Sequence, residues 1–400
     1  MRIVHVSDCY APRVGGIESQ VADLAAHQVS QGHAVHVLTA TAAETGTTTL
    51  GRYRETITEP SGVRVHRIAS PVSLGLPVHP RGQALIRRAL ALLEPDVVHV
   101  HAGVVSPFAH DGARAARAAG LPLAITWHCM LDGVEPALAL GARATGWRSA
   151  RFAPSAVSGV AAERVAEALG RTDVSVMPNG LDLTPWRAVA TGGDRTPSGV
   201  SARRGGGGPL RVVATQRLAP RKRAVPLVRT VAQAHERLGR DTAGRPRILL
   251  TIAGGGPAEH AVRAEVAAGD LDDVVTVLGR VPRQTLPTLY RAQDVFVAPA
   301  LLEAFGVAAL EARAAGLAVV GQAGTGVSEF VQHEREGLLV DGDEAATDAL
   351  VRLAEDGELL AGIRAHNAAV PPSMSWAEVI GRANRVYARA REAVGLPGSV

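Results

Sequence analysis

Short apolar runs rich in β-branched residues alternate along the whole chain with longer stretches in which apolar residues recur every three or four positions. The short runs predict strands near Arg2–Ser7, Ala34–Thr39, Val63–Ile68, Asp96–Val100, Pro122–Trp127 and Val174–Met177. A second series is predicted near Leu210–Thr215, Arg247–Ala253, Val274–Leu278, Asp294–Ala298, Ala318–Val320 and Gly337–Val340. Helical patterns of roughly 10 to 15 residues lie between most of them, for example Gly16–Ser30 and Ala224–Leu238. This alternation is the βαβ signature of parallel sheets covered by helices on both faces. Two series therefore predict two α/β domains of the doubly wound, Rossmann-like kind.

The segment Thr191–Gly208 interrupts the pattern with seven glycines and no hydrophobic period, which reads as a linker or an inserted loop. It divides the chain into a first domain over 1–186, a Gly-rich connection over 187–209 and a second domain over 210–374. The last stretch, 375–400, begins with a further helical pattern from Ser375 to Glu392. Ligands of open α/β sheets bind beyond the carboxyl ends of the strands, so chemistry is expected in the loops just after them.

Composition narrows the function classes. With 46% apolar and 20% charged residues over 400 positions, the chain has enough material for large cores. Two cysteines, Cys9 and Cys129, build neither a disulfide framework nor a metal-binding spacing, which favours a reduced, cytoplasmic setting. The first residues turn polar too soon for a signal peptide, and no apolar run reaches roughly 18 residues. The formal charge of +4 is slight, and 3% aromatics leave little for stacking on nucleotides, so no nucleic-acid partner is expected. Peripheral contact of the arginines with an anionic inner-membrane surface is compatible with this charge. Of the 42 basic side chains only one, Lys222, is a lysine.

Three loops carry candidate chemistry. Gly15-Gly16 follows the first strand and opens a helix, where close backbone approach and free N–H groups suit a phosphate; a plain tight turn explains it equally well. It is no G-x-G-x-x-G fingerprint, which disfavours a dehydrogenase. Arg217 and Lys222 bracket the turn after the strand ending at Thr215, a planar fork and a point charge suited to a diphosphate. A solvated basic helix start is the alternative, weakened because cations oppose the helix dipole there. Glu303 lies in the loop after the strand ending at Ala298, and Glu311 on the helix that follows. Carboxylates accept from sugar and ribose hydroxyls, although spacing alone allows two unrelated helix carboxylates.

Taken together, Gly15-Gly16, the Arg217 to Lys222 segment and Glu303-Ala304-Phe305-Gly306 followed by Glu311 resemble the retaining glycosyltransferases of the GT4 family, with a GT-B fold. Thr126-Trp127-His128, Pro178-Asn179-Gly180-Leu181-Asp182, Gly324-Thr325-Gly326-Val327-Ser328-Glu329 and Glu336-Gly337-Leu338-Leu339-Val340 follow the same pattern, so the likeness covers almost the whole chain. The resemblance implies two Rossmann-like domains facing a central cleft, the first on the acceptor side and the second on the donor side, with the terminal helix crossing back to the first. It implies that Arg217 and Lys222 hold the diphosphate of a UDP- or GDP-linked sugar, that Glu303 and the backbone of Phe305, Gly306 and Val307 hold the sugar, and that Glu311 binds the ribose. Gly16 would approach the phosphate, His128 would sit at the transfer centre, and Arg280 with Val281 would line the base. Gly255 stands where an Asp is frequent and Ala300 where a Ser is common.

The activity implied is metal-independent transfer of a hexosyl or N-acetylhexosaminyl group to an acceptor hydroxyl, with no cofactor. Cations aimed at the departing diphosphate would supply the stabilisation a metal gives elsewhere. Asp341-Gly342-Asp343 matches an Asp-x-Asp metal motif but reads better as a turn and helix start. His99 and His101, with His128, could form a metal cluster or serve as cleft-lining or hydrogen-bonded rings. A silent nucleotide-sugar-binding protein, or an epimerase or phosphorylase on the same fold, remains the competing reading.

Overall fold

The computed structural model describes residues 1–13, 15–42, 56–69, 78–191 and 208–398. Most of the Gly-rich connection, and residues 43–55 and 70–77, lie outside the described residues. The chain divides into two compact units, residues 1–180 with 374–398, and 181–373.

The first unit is built on an eight-stranded sheet. Its strands are β1 (Arg2–Ser7), β2 (Ala34–Thr39), β3 (Thr56–Thr58), β4 (Arg64–Arg67), β5 (Val97–Ala102), β6 (Leu123–Trp127), β7 (Ala153–Ala156) and β8 (Ser175–Val176), in the order β3-β4-β2-β1-β5-β6-β7-β8. All pairs are parallel except β3 with β4. Because side chains alternate across a strand, the sheet presents two different faces. Val4, Val6, Val98, Val100, Leu123 and Ile125 face the helices Gly82–Leu93, Pro107–Ala118 and Gly159–Leu169 in one core. Ile3, Val97, Ala124 and Ala153 face Trp376, Val379, Ile380 and Tyr387 of the terminal helix. That helix, Trp376–Ala393, starts at a capping box between Ser375 and Glu378, which satisfies donors that a bare helix start would leave open.

The second unit is a six-stranded, wholly parallel sheet. Its strands β9 (Leu210–Thr215), β10 (Ile248–Ala253), β11 (Val275–Gly279), β12 (Val295–Ala298), β13 (Ala318–Gln322) and β14 (Gly337–Val340) run in the order β11-β10-β9-β12-β13-β14. This is the doubly wound order, and the winding reverses between β9 and β12. Val212, Ala214, Leu250, Ile252, Val295 and Val320 are buried against helices that include Ala224–Leu238 and Gly342–Glu355. Each such Val, Ile or Leu contributes roughly 1.5–3 kcal/mol by leaving water.

Two differences from the sequence expectation stand out. Residues 181–186, expected with the first domain, fall in the second unit, where Trp186 is buried and stacks on Tyr290 at 5.5 Å. A large aromatic ring anchors the segment more firmly than chain order suggests. The strand β7 was not expected at all, because Pro154 and Ser155 resemble a turn. Among the described residues no helix is long and apolar enough to cross a membrane.

Candidate active site

In the second unit the predicted residues lie at the carboxyl ends of the strands, on both sides of the switch between β9 and β12. Arg217 is exposed just beyond β9. Lys222 closes a 3-10 turn, Pro220–Lys222, ahead of the helix Ala224–Leu238. Glu303 lies in the loop after β12, and its Oε2 takes a hydrogen bond from the Lys222 ammonium. Both side chains are about one-fifth exposed, so the pair is screened from bulk water on most sides yet open to a ligand. An ammonium has three donors, and Glu303 uses one.

The Glu303 loop is built by close backbone packing. Its carbonyl accepts from Gly326 N–H at 2.8 Å, and a Cβ on Gly326 would fall 2.1 Å from the Ala304 carbonyl oxygen. Phe305 is buried beside Phe330, so only its backbone faces the loop. Gly306, at φ 88°, turns the chain into the helix Val307–Ala314. Farther along this helix Glu311 is buried and pairs with Arg283 at 3.3 Å. On the other flank, Gly254-Gly255-Gly256 lies against the Arg217 loop: Leu218 N–H donates to the Gly255 carbonyl at 3.1 Å, and a Cβ on Gly254 would lie 1.8 Å from the Gln216 carbonyl oxygen. Arg280 is exposed and half-buried Val281 follows it, with the Arg280 side chain crossing Gly255, where a Cβ would meet it at 2.8 Å.

Asp341 stands at the N-cap position of the helix Gly342–Glu355 and Asp343 pairs with Arg223 at 2.5 Å. The two carboxylates thus occupy a turn and an ion pair.

In the first unit Gly16 begins the helix Gly16–Ser30 with open space where a side chain would be, while Gly15 caps it in an extended conformation. Val14, just before them, lies outside the described residues. His128 follows β6, held by its N–H on the Ala102 carbonyl at 2.9 Å, and its ring is hydrogen-bonded by Asn179. Burial holds the His128 imidazole to about 4, well under its ordinary value. His99 and His101 are both buried within β5. Together with His5 they bring three ring nitrogens within 4.8 Å of one another. All six nitrogens of these rings already have hydrogen-bond partners, namely one another, Gln28, Tyr387, Thr126 and His128. That saturates them without an ion. His5, Gln28 and Tyr387 escaped the sequence reading, although His5 and His99 are direct neighbours in the β1–β5 register.

Two doubly wound units with a cation-lined switch point define a protein of the GT-B glycosyltransferase fold class. Anabaena HepE, solved in complex with UDP and glucose, superimposes with a TM-score of 0.70 at 19% identity, over 96% of this chain and 98% of that one. Residues 206–368 match the model of "Glycosyl transferases group 1" and residues 14–185 that of "Glycosyltransferase Family 4". A D-inositol 3-phosphate glycosyltransferase of Streptomyces griseus is 30% identical over 322 residues, which span 74% of this chain and 67% of the relative. A GDP-mannose-dependent alpha-(1-6)-phosphatidylinositol monomannoside mannosyltransferase of Mycobacterium tuberculosis is 28% identical over 89% of each chain. The chain belongs to the GT4 family of glycosyltransferases. Matches to three further D-inositol 3-phosphate glycosyltransferases cover 42%, 52% and 45% of those proteins, so the chain spans about half the length of the first curated relatives it matches.

Proposed function

We propose that the protein transfers a hexosyl or N-acetylhexosaminyl group from a nucleoside-diphosphate sugar to an acceptor hydroxyl, with retention of configuration and without a metal. The observation that carries this reading is the Lys222–Glu303 pair at the β9/β12 switch point, beside exposed Arg217. In the proposed mechanism the second unit holds the donor. Glu303 keeps the ammonium of Lys222 pointed at the diphosphate with two donors to spare, and Arg217 adds a second cation. As the glycosidic bond breaks, negative charge grows on the departing nucleoside diphosphate, and these preorganised charges lower the barrier. Glu303 also accepts from a sugar hydroxyl, the N–H groups at Gly306 and Val307 support the same ring, Glu311 takes the ribose hydroxyls, and Arg280 with Val281 flanks the base. His128 and Gly16 act from the first unit, which takes the acceptor. The acceptor hydroxyl attacks the face that the diphosphate leaves and passes its proton to the departing diphosphate oxygen, so no enzymic nucleophile is required.

The names of the relatives support both base classes, since one is GDP-mannose-dependent and the fold neighbour was solved with UDP. The test is a thermal-shift screen of UDP- and GDP-sugars followed by a transfer and donor-hydrolysis assay on the native protein and on Glu303→Ala. A stabilising donor that is turned over by the native protein and not by Glu303→Ala is expected, because a ligand bound only to the folded state raises its apparent stability. Binding with no turnover in either protein would favour a silent sugar-nucleotide receptor instead.

A further inference from the structure

The face of the first sheet that the helices Gly16–Ser30 and Trp376–Ala393 cover is apolar at one end and polar at the other. Ile3, Val97, Ala124 and Ala153 give way, two residues on, to His5, His99, Thr126 and Ser155. These polar groups form one continuous line. Ser155 Oγ lies 3.2 Å from the Ile125 carbonyl oxygen and 2.8 Å from Thr126 Oγ1, which is 2.7 Å from His99 Nε2. His99 Nδ1 is 2.9 Å from the Tyr387 hydroxyl, which is 2.9 Å from Gln28 Nε2. Gln28 Oε1 is 2.7 Å from His5 Nε2, His5 Nδ1 is 2.9 Å from His101 Nε2, and His101 Nδ1 is 3.0 Å from His128 Nε2.

The direction of the hydrogens in this line is assigned from its end. A carbonyl only accepts, so Ser155 donates to Ile125 and accepts from Thr126, which in turn accepts from His99 Nε2–H. His99 Nδ1 then carries a lone pair and takes the Tyr387 hydroxyl hydrogen. The phenol oxygen accepts from the Gln28 amide, whose carbonyl oxygen accepts from His5 Nε2–H. The same logic makes His101 and finally His128 donors through Nε2. Burial depresses the proton affinity of His5, His99, His101 and His128 and pushes that of the Tyr387 phenolate up, so each ring holds one hydrogen and the phenol keeps its own. A neutral chain of this kind has one polarity.

We propose that the relay from Ser155 to His101 is a positioning device that fixes His128 as the Nε2–H tautomer, so that Nδ1 meets the site as a lone pair and never as a donor. In this state a substrate hydroxyl arriving at Nδ1 must donate. The proposal rests on the reading of His128 as a site residue. Tyr387 belongs to the terminal helix, so it sets the proton position on a residue 259 positions earlier in the chain. Gln28 is the pivot. With Tyr387 absent its amide can turn over, and that turn reverses His5, His101 and His128 in sequence.

The test is the imidazole region of a long-range 1H–15N correlation spectrum of the full-length 15N-labelled protein at pH 7.5, which separates protonated from bare ring nitrogens. Native protein is expected to show His5, His99, His101 and His128 all as Nε2–H with bare Nδ1. Any of the four seen as Nδ1–H or doubly protonated overturns the proposal. Tyr387→Phe and, as a smaller change, Ser155→Ala are expected to bring out the Nδ1–H form of His128 while Tyr10→Phe, outside the relay, leaves the native pattern. A folded Ser155→Ala and a folded Tyr387→Phe that both keep the native His128 pattern would also overturn it; if Tyr387→Phe does not fold, Ser155→Ala decides. These spectra do not depend on turnover. A confirmed relay with full transfer in His128→Ala would therefore remove His128 from the site without touching the relay.

Discussion

Lys222 and Glu303, 81 residues apart in the chain, meet in an ion pair where the loops after β9 and β12 converge. The contact joins the residue proposed for the diphosphate to the residue proposed for the sugar. Substituting Lys222 by Arg keeps the charge but replaces a compact ammonium with a planar fork that can bind a carboxylate through two N–H groups. Arg at this position is expected to settle on Glu303 and turn away from the phosphate. A fall in kcat of about 10²-fold, the scale of losing one preorganised donor, is expected in Lys222→Arg. Near-native kcat would mean that positive charge alone suffices there.

Glu311 is buried while its partner Arg283 is about half exposed. Removing the carboxylate thus leaves no buried unpaired charge, and Glu311→Ala is expected to fold. If the carboxylate holds the ribose, affinity for the free nucleoside diphosphate falls about tenfold, a loss of about 1.4 kcal/mol, with no change in preference between donor sugars. Calorimetric titration with UDP and GDP checks this. An unchanged affinity with altered sugar preference would move Glu311 to the sugar.

The parallel strands were legible in the sequence because strands covered on both faces read as short continuous apolar runs. Ala153–Ala156 was not, since Pro154 and Ser155 carry turn chemistry; nor was Thr56–Thr58, a polar three-residue strand at the sheet edge. The site loops could be placed because each follows a strand. Their pairings could not. Nothing local in Arg283 or Glu311 announces that they meet across 28 residues, and the partner of Lys222 is set only by sheet order. The histidines of β1 and β5 alternate visibly, yet whether that face is wet or buried depends on a helix that lies about 290 residues farther along.

The buried imidazoles make stability depend on pH in a fixed direction. His5, His36 and His66 are held to about 4, mainly by burial, whereas an unfolded imidazole titrates near 6.5. Between those values the unfolded chain binds more protons, so stability falls as pH falls through 6.5 and continues to fall toward 4. Above 6.5 their contribution is complete. One ring held to about 4 accounts for on the order of 3 kcal/mol across that window. Asp8, whose carboxyl is pushed up by burial, works in the opposite sense but is a single group. The urea midpoint is expected to drop clearly between pH 7.5 and pH 5.0. A midpoint that holds steady would mean the histidines are charged in the fold or solvated.

Gly324 and Gly326 share one loop after β13 but differ in what they tolerate. Gly324 has φ 67° and open space around it, so Gly324→Ala pays for left-handed backbone alone, about 1–2 kcal/mol. Its effect on turnover is expected to be small. Gly326 is limited by contact: an added methyl would lie 2.1 Å from the Ala304 carbonyl oxygen and 2.6 Å from Phe305 Cα, both backbone atoms that cannot rotate aside. Gly326→Ala must push the Glu303 loop outward and break the 2.8 Å hydrogen bond from Gly326 N–H to the Glu303 carbonyl. Misplacing a positioning group by about 1 Å costs on the order of 10²-fold in rate. The expected signature is a large loss of turnover in Gly326→Ala beside a mild one in Gly324→Ala, measured with thermal melts to confirm folding. Equal, small losses in both variants would show that the Glu303 loop moves without consequence, and Glu303 would no longer be a candidate for holding the donor sugar.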